Sequence, residues 1–317
     1  MAPLDLVIRF GGAGFGDTSK FKEAKDARPL FDVLKEQGIT HIDTAHLYGN
    51  SETYLGEIDA GKEFQFDTKW KGGFSPGSVT KDKIIETADE SLKKLGVKKL
   101  DIFYLHAPDT SIPWTEQLEG VNEVYKKGTF ERFGVSNFSA AQVQEVYDIC
   151  KEKGYPLPVV YQGNYAALTR VPEVELFPLL RKLKIAFYAY SPLVGGLLTK
   201  TADEIKAGVG RFGNPALYGG MYNKPKYLEA LGEWEKAAKE EGVGRAELGF
   251  RWIAWHSALD STGKSGDGLV VGASRPEQVS TTLDYIRKGP LSDKAVKTID
   301  HMWELVKEEA PIDNFNR

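Results

Sequence analysis

The chain has 317 residues, 41% hydrophobic and 27% charged, which is enough to bury a large core and falls within the range of one α/β-barrel domain. Its net charge of −4 is a poor electrostatic match for nucleic acid or an anionic membrane surface. The single cysteine, Cys150, excludes an intrachain disulfide and fits a reducing compartment. No basic n-region precedes an apolar core at the start, and the longest weakly polar run (185–198) is too short to span a bilayer and carries Pro192. The expectation is a cytoplasmic protein that engages neither membrane nor nucleic acid, with Cys150 an ordinary core residue.

In chain order, short β-rich runs alternate with longer helical patterns. "DLVIRF" (5–10) is the first expected strand. The "GGAGFGD" after it is not a dinucleotide fingerprint, because G-x-G-x-x-G would need glycine where Asp17 stands; it reads as a strand-to-loop turn lining a pocket. "HIDTA" (41–45), "FQFDTKW" (64–70) and "DIFYLHA" (101–107) are the next three strands, followed by "RFGVSN" (132–137), "VVYQGNY" (159–165), "IAFYAYS" (185–191) and "LVVGAS" (269–274). Between them lie amphipathic patterns such as 81–96, where Ile84, Ile85, Ala88, Leu92 and Leu95 fall at helical spacing and Gly96 supplies a stop. A second such pattern, 114–128, ends in lysines and glycine, as helix C-termini prefer.

Strands alternating with helices imply βαβ units and a parallel sheet. Eight units in one chain predict a closed (β/α)8 TIM barrel, and with no Pro-, Gly- or Ser-rich linker the expectation is one domain over 1–317. Two pieces exceed the repeat. Segment 192–268 carries extra helices and a Gly-rich loop (206–226), and a helix (292–308) with the tail "APIDNFNR" follows strand eight. Long loops belong to the C-terminal face, where barrels of this class hold their chemistry.

The informative residues are therefore those at strand ends. Strand two ends at Asp43 and leads to Tyr48, strand three ends at Lys69 and strand four at His106. A phenol with an ordinary pKa of about 10 is a reluctant acid at neutral pH; a nearby ammonium favours its ionised form. A carboxylate opposes loss of the ammonium's proton. Asp43, Lys69 and Tyr48 thus form a plausible relay, with His106 placed to hold the same substrate oxygen. Such a group protonates an oxygen as negative charge builds on it, which is what hydride reduction of a carbonyl requires. A metal cluster of His41, Asp43 and His46 is the competing reading. Barrel metallohydrolases need several convergent ligands and only five histidines exist, so no metal is expected and His46 reads as structural.

These motifs resemble the aldo-keto reductase family. "DTAHLYG" looks like its D-T-A-x-x-Y-G signature, and "DTKW", "YLHAPD", "GVSNF", "VYQGNY", "YAYSPLVGGLLT" and "GASRPEQV" match its later motifs in order. The longer stretch "VPEVELFPLLRKLKIAFYAYSPLVGGLLT" and "GRFGN" are most similar to the aflatoxin aldehyde (succinic semialdehyde) reductase subgroup. The resemblance implies NADPH-dependent reduction of a small-molecule aldehyde or ketone, with Tyr48 as proton donor and Asp43, Lys69 and His106 as its partners. It further implies that Ser136, Asn137 and Gln162 bind the nicotinamide carboxamide and that Tyr190 stacks on its ring. Ser191, Leu193, Gly195 and Gly196 then hold the pyrophosphate, and Arg211 lies on a covering loop. Gly272, Ser274, Arg275 and Gln278 form the adenosine and 2′-phosphate site, where a free arginine favours NADPH/NADP+ over the unphosphorylated cofactor. The subgroup also implies a homodimer.

The chain departs from the pattern in two places. Thr282 stands where the family has an adenine-binding Asn, and "MYNKPKY" replaces a stretch with an arginine pair after Tyr222. Arg317 does match the subgroup's C-terminal arginine for acidic substrates, and Trp70 and Tyr222 are further candidate substrate contacts. An NADP(H)-binding regulatory or sensor subunit on the same fold, with weak turnover, is the alternative function.

Overall fold

The computed structural model describes residues 5–16 and 21–316. Its centre is a closed barrel in which consecutive strands are neighbours and all pairs are parallel. The strands are β1 (Val7–Gly11), β2 (His41–Asp43), β3 (Gln65–Trp70), β4 (Leu100–Leu105), β5 (Phe130–Ser136), β6 (Pro158–Asn164), β7 (Ala186–Tyr190) and β8 (Gly268–Val271). All eight expected strands are present, with ends shifted by a few residues. β2 stops at Asp43, so Thr44 to Asn50 are loop, and β5 starts earlier than expected and carries a register shift between Phe133 and Gly134.

Period-two alternation sorts each strand onto two faces. On β4, Phe103 and Leu105 join the large outer core under the helices, whereas Ile102 and Tyr104 join a smaller cluster inside the barrel with Val160, Ala186, Tyr188 and Val270. On β3, Phe66 and Trp70 face outward by the same rule, which leaves Asp67 and Lys69 on the inner face. Room for the Tyr104 ring inside the barrel comes from Gly134 on β5: a Cβ there would lie 2.3 Å from Tyr104 Cδ1.

The outer helices follow the periodicity with one adjustment. Helix Lys81–Leu95 begins at Thr80, whose hydroxyl accepts from the Lys83 N–H, and ends at Gly96. Its buried stripe is Ile84, Thr87, Ala88, Ser91 and Leu95; Ile85 and Leu92 sit half-exposed on its flank. Apolarity alone mis-set the stripe, because the small polar side chains fit the crowded helix–barrel interface. Segment 206–226 is more ordered than a Gly-rich loop: it holds a 3₁₀ turn at Gly210–Gly213 and a short helix at Tyr218–Tyr222, and runs into helix Pro225–Glu241. Helix Asp293–Val306 follows the barrel. Cys150 is buried in the core, as expected. Among the described residues no helix is long and apolar enough to cross a membrane.

Gly134→Ala is expected to destabilise the fold by about 1–3 kcal/mol, because the added methyl displaces a ring that has nowhere to go. Urea unfolding of the two proteins checks this, and equal midpoints would contradict it.

Candidate active site

The C-terminal ends of the strands open into a cavity of about 1630 Å³. Asp43, Tyr48 and His106 line it at one end, and Arg275 and Gln278 at the other. Lys69 lies behind the wall and is fully buried. Its ammonium donates to Asp43 Oδ1 at 2.5 Å and to the Thr44 carbonyl at 2.8 Å. The other Asp43 oxygen accepts from Gln162 Nε2 at 2.8 Å. The ammonium also lies 5.3 Å from the centre of the Tyr48 ring and 5.5 Å from that of Tyr104, so two aromatic faces flank it.

The four strand-end residues are therefore brought together. Tyr48 sits on the turn after β2, where its N–H donates to the Ala45 carbonyl, and its ring meets His106 edge-on at 5.7 Å. Burial lowers the affinity of the Lys69 amine for its proton, but Asp43, with smaller help from Tyr48 and Asp67, outweighs this and the pKa is raised overall. Burial, reinforced by the Lys69 charge, holds His106 well below the ordinary imidazole value, so the ring is neutral at neutral pH. For Tyr48 the balance differs from the expectation. Loss of water around the phenol raises its pKa more than the Lys69 charge lowers it, and the net shift is upward. The ammonium limits the rise without reversing it. His46 has the structural surroundings expected of it, with Nε2 3.3 Å from Glu90 and 3.2 Å from Lys94.

The remaining wall follows the cavity away from Tyr48. Asn137 Nδ2 donates to the His106 carbonyl and its Oδ1 accepts from the Tyr190 hydroxyl, each at 2.8 Å. One amide N–H and one oxygen lone pair remain for a further partner. Ser136, paired in register with Gln162, is buried with no partner for its hydroxyl among the described residues, although it does not itself line the cavity. Asn137, Ser191 and Val194 all adopt positive φ without being glycine, a cluster of backbone strain at the barrel mouth. Leu193, Gly195 and Gly196 continue the wall. At Gly195, φ is +64° and a Cβ would lie 2.1 Å from the Tyr218 ring, so only glycine lets that ring close over the backbone. The Arg211 guanidinium lies over the Tyr218 ring, 5.0 Å from its centre.

Gly272, Ser274, Arg275 and Gln278 line the far end, with Thr282. The Ser274 N–H and hydroxyl both donate to Gln278 Oε1, at 2.7 and 3.1 Å, which fixes the loop. The exposed Arg275 guanidinium makes no hydrogen bond or ion pair among the described residues, so it is available to an anion.

Three substrate expectations fare differently. Trp70 does not line the cavity: it is buried behind β3, donates to the Ser78 carbonyl and packs on His46, because alternation turns the residue after Lys69 outward. Tyr222 is buried behind Tyr218 and packs on Tyr227. Arg317 lies outside the described residues. The wall near Tyr48 is built instead by Leu47, Phe74, Leu217, Tyr218, Met221 and Asn314. Lys224, in the stretch that replaces the arginine pair, is turned away and donates to the Glu309 carbonyl. The tail folds over this side of the mouth: Asn314 N–H donates to the Tyr190 hydroxyl, Asn316 Nδ2 to the Asn137 carbonyl, and Phe315 packs on Phe74. Gly11, Ala13 and Gly14 line the cavity, as read from the turn after the first strand. Among the described residues no group of three or more His, Cys, Asp and Glu is arranged to hold a metal ion.

A closed parallel barrel thus brings a buried lysine–carboxylate pair beside a phenol and an imidazole. The aldo/keto reductase family model matches residues 7–304, and the chain belongs to this family. It is 40% identical to "Oxidoreductase sirO" of Leptosphaeria maculans, over 96% of this chain and 96% of that protein. It is 38% identical to human "Aldo-keto reductase family 7 member A3" over 91% and 92% of the two chains. Human "Aflatoxin B1 aldehyde reductase member 2" is 39% identical over 87% of this chain and 81% of its own.

Lys69→Met is expected to destabilise the protein by about 3–5 kcal/mol, since it leaves the Asp43 carboxylate buried without its cation. Denaturant unfolding measures this, and a loss below about 1 kcal/mol would show that the pair is not desolvated.

Proposed function

We propose that the protein reduces an aldehyde or ketone to an alcohol with NADPH, and that Tyr48 is the general acid. The observation that carries this reading is the buried Lys69–Asp43 pair 5.3 Å from the half-buried Tyr48 ring, with neutral His106 across from it. When bound, the reduced nicotinamide supplies the hydride. The protein's task is the oxygen. Negative charge develops there, and a donor already aimed at it stabilises that charge without reorganising.

Each partner has a distinct share. Burial keeps the Tyr48 phenol protonated at neutral pH, so the donating form is the populated one. Lys69 favours the phenolate left after the proton departs, each pKa unit being worth about 1.4 kcal/mol. Asp43 keeps Lys69 charged, and Gln162 holds Asp43. His106, being neutral, orients the oxygen by a hydrogen bond and adds no second cation beside Lys69.

The cavity suits a long dinucleotide. We assign its carboxamide to Asn137 and Gln162, on the support of their place in the wall and the spare amide capacity of Asn137; Ser136, expected beside them, does not reach the cavity. Tyr190 faces the ring. The strained backbone from Ser191 to Gly196, with Leu193, and Arg211 on Tyr218 form the pyrophosphate segment. Gly272, Ser274, Gln278 and the unpartnered Arg275 form the 2′-phosphate end. Thr282 stands in that wall in place of a longer amide.

Tyr48→Phe is expected to lower kcat for NADPH-linked reduction of an activated aromatic aldehyde by about 10²–10⁴-fold with dinucleotide affinity kept. Equal turnover by the two proteins would favour a cofactor-binding subunit with incidental activity. Arg275→Ala is expected to weaken NADPH by about 1.5–3 kcal/mol, the worth of a charged hydrogen bond, and to leave NADH almost unchanged. Fluorescence titration with both cofactors measures this; parallel losses would place the 2′-phosphate elsewhere.

A further inference from the structure

Beneath the four residues around Tyr48, the barrel axis holds a second carboxylate. Asp67 precedes Lys69 by two residues on β3, on the same inward face, and stands in register with Asp43 on β2. It is fully buried. Neither of its oxygens accepts a hydrogen bond among the described residues, and its closest cation is Arg9 Nε on β1, at 3.3 Å. A purely structural buried carboxylate would accept several hydrogen bonds, since an unsatisfied buried anion is costly.

The surroundings explain why Asp67 is left short. Arg9 donates through Nη2 to Asp101 on β4 instead, at 2.8 Å. Asp101 is held twice more by Arg132 on β5, at 2.9 and 2.6 Å, and lies 3.1 Å from His41 on β2. Tyr188 on β7 accepts from Arg132 and has Arg9 over its ring. Asp101 is thus saturated, and Asp67 receives only one edge of Arg9. Toward the active site its neighbours are Asp43, Lys69 and Tyr104, whose hydroxyl is also buried without a partner among the described residues.

We propose that Asp67 is a positioning residue of the proton relay, whose carboxyl, neutral or ionised, sets the charge that Lys69 feels and through it the acidity of Tyr48. The proposal rests on the reading of Tyr48 as the acid. Burial drives the Asp67 carboxyl up to about 7, with Arg9 pulling it back and Asp43 and Asp101 adding to the rise. Below that pH Asp67 is neutral and Asp43 is the one carboxylate whose charge acts on Lys69. Above it Asp67 is an anion that strengthens the hold of Lys69 on its proton. The same titration bears on stability. Between the ordinary value of 3.8 and about 7 the folded chain keeps a proton that the unfolded chain has lost. This contribution is complete below the ordinary value and disappears as pH rises through about 7.

The experiment compares kcat/KM for NADPH-linked reduction of an aromatic aldehyde across pH in wild type and Asp67→Asn, with melting temperature recorded at each pH. In wild type an inflection is expected near pH 7. In Asp67→Asn it should vanish, the alkaline limb should move down by about one pH unit, and the fall in wild-type melting temperature relative to the variant from acid to neutral pH should identify the same proton. A lower melting temperature and lower rate at every pH, with an unmoved profile, would mean a structural role only and overturn the proposal. If Asp67→Asn does not fold, pH-difference infrared spectroscopy of the wild type decides. A buried protonated carboxyl band that disappears near pH 7 is expected, and its absence overturns the proposal. A wild type without NADPH-linked turnover overturns the reductase reading and this proposal together; turnover with an unmoved variant profile overturns this proposal alone.

Discussion

The rest of the structure depends on keeping one lysine charged inside a barrel. Lys69 is fully buried, and an isolated ammonium there would give up its proton. Asp43 prevents this at hydrogen-bond distance, and the Thr44 carbonyl takes a second N–H. Several features otherwise hard to explain serve this pair. Gln162 crosses from β6 to hold the free oxygen of Asp43. Gly134 opens the space in which the Tyr104 ring can flank the ammonium. Burying two charges is costly, and well-packed apolar residues would often do as well for stability alone. The pair is therefore better understood through what it does to the neighbouring phenol.

The barrel interior is not uniform. One side, from β1 to β5, carries a polar column with Lys69 and Asp43 uppermost and Arg9, Asp101 and Arg132 lower down. The other side is filled by Val160, Ala186, Tyr188 and Val270. Charge in the column is arranged in layers, and Asp101 closes the lower layer by taking both arginines. This division gives the upper layer its sensitivity to a single proton, because little else in a dry interior can screen it.

Much of this was legible in the chain. Strand ends carry polar residues that an apolar strand does not need, so Asp43, Lys69 and His106 stood out, and the D-T-A-x-x-Y-G stretch placed Tyr48 beside them. Trp70 misled because residue type outweighed position: period two puts the residue after an inward lysine outside the barrel, where it packs on His46. The same rule would have marked Asp67 as inward, yet nothing in "FQFDTKW" reveals that its cation comes from β1 and is shared with Asp101. The subgroup resemblance points to Tyr222 as a substrate contact; on its short helix it is Tyr218 and Met221 that face the cavity. The upward shift of Tyr48 was not legible either, because desolvation depends on what surrounds the ring and not on what stands near it in sequence.

The sequence by itself determined the alternation of strands and helices, the closure of eight strands into a barrel, the family and the residues at the strand ends. These follow from local periodicity and motif order, which each segment carries within itself. Only the tertiary structure decided which polar residues share a buried charge, which aromatics face the cavity and which are packed behind it, and how far burial moves each proton. Those quantities depend on distances between segments far apart in the chain and on how much water the packed interior excludes, and neither is written into any one segment.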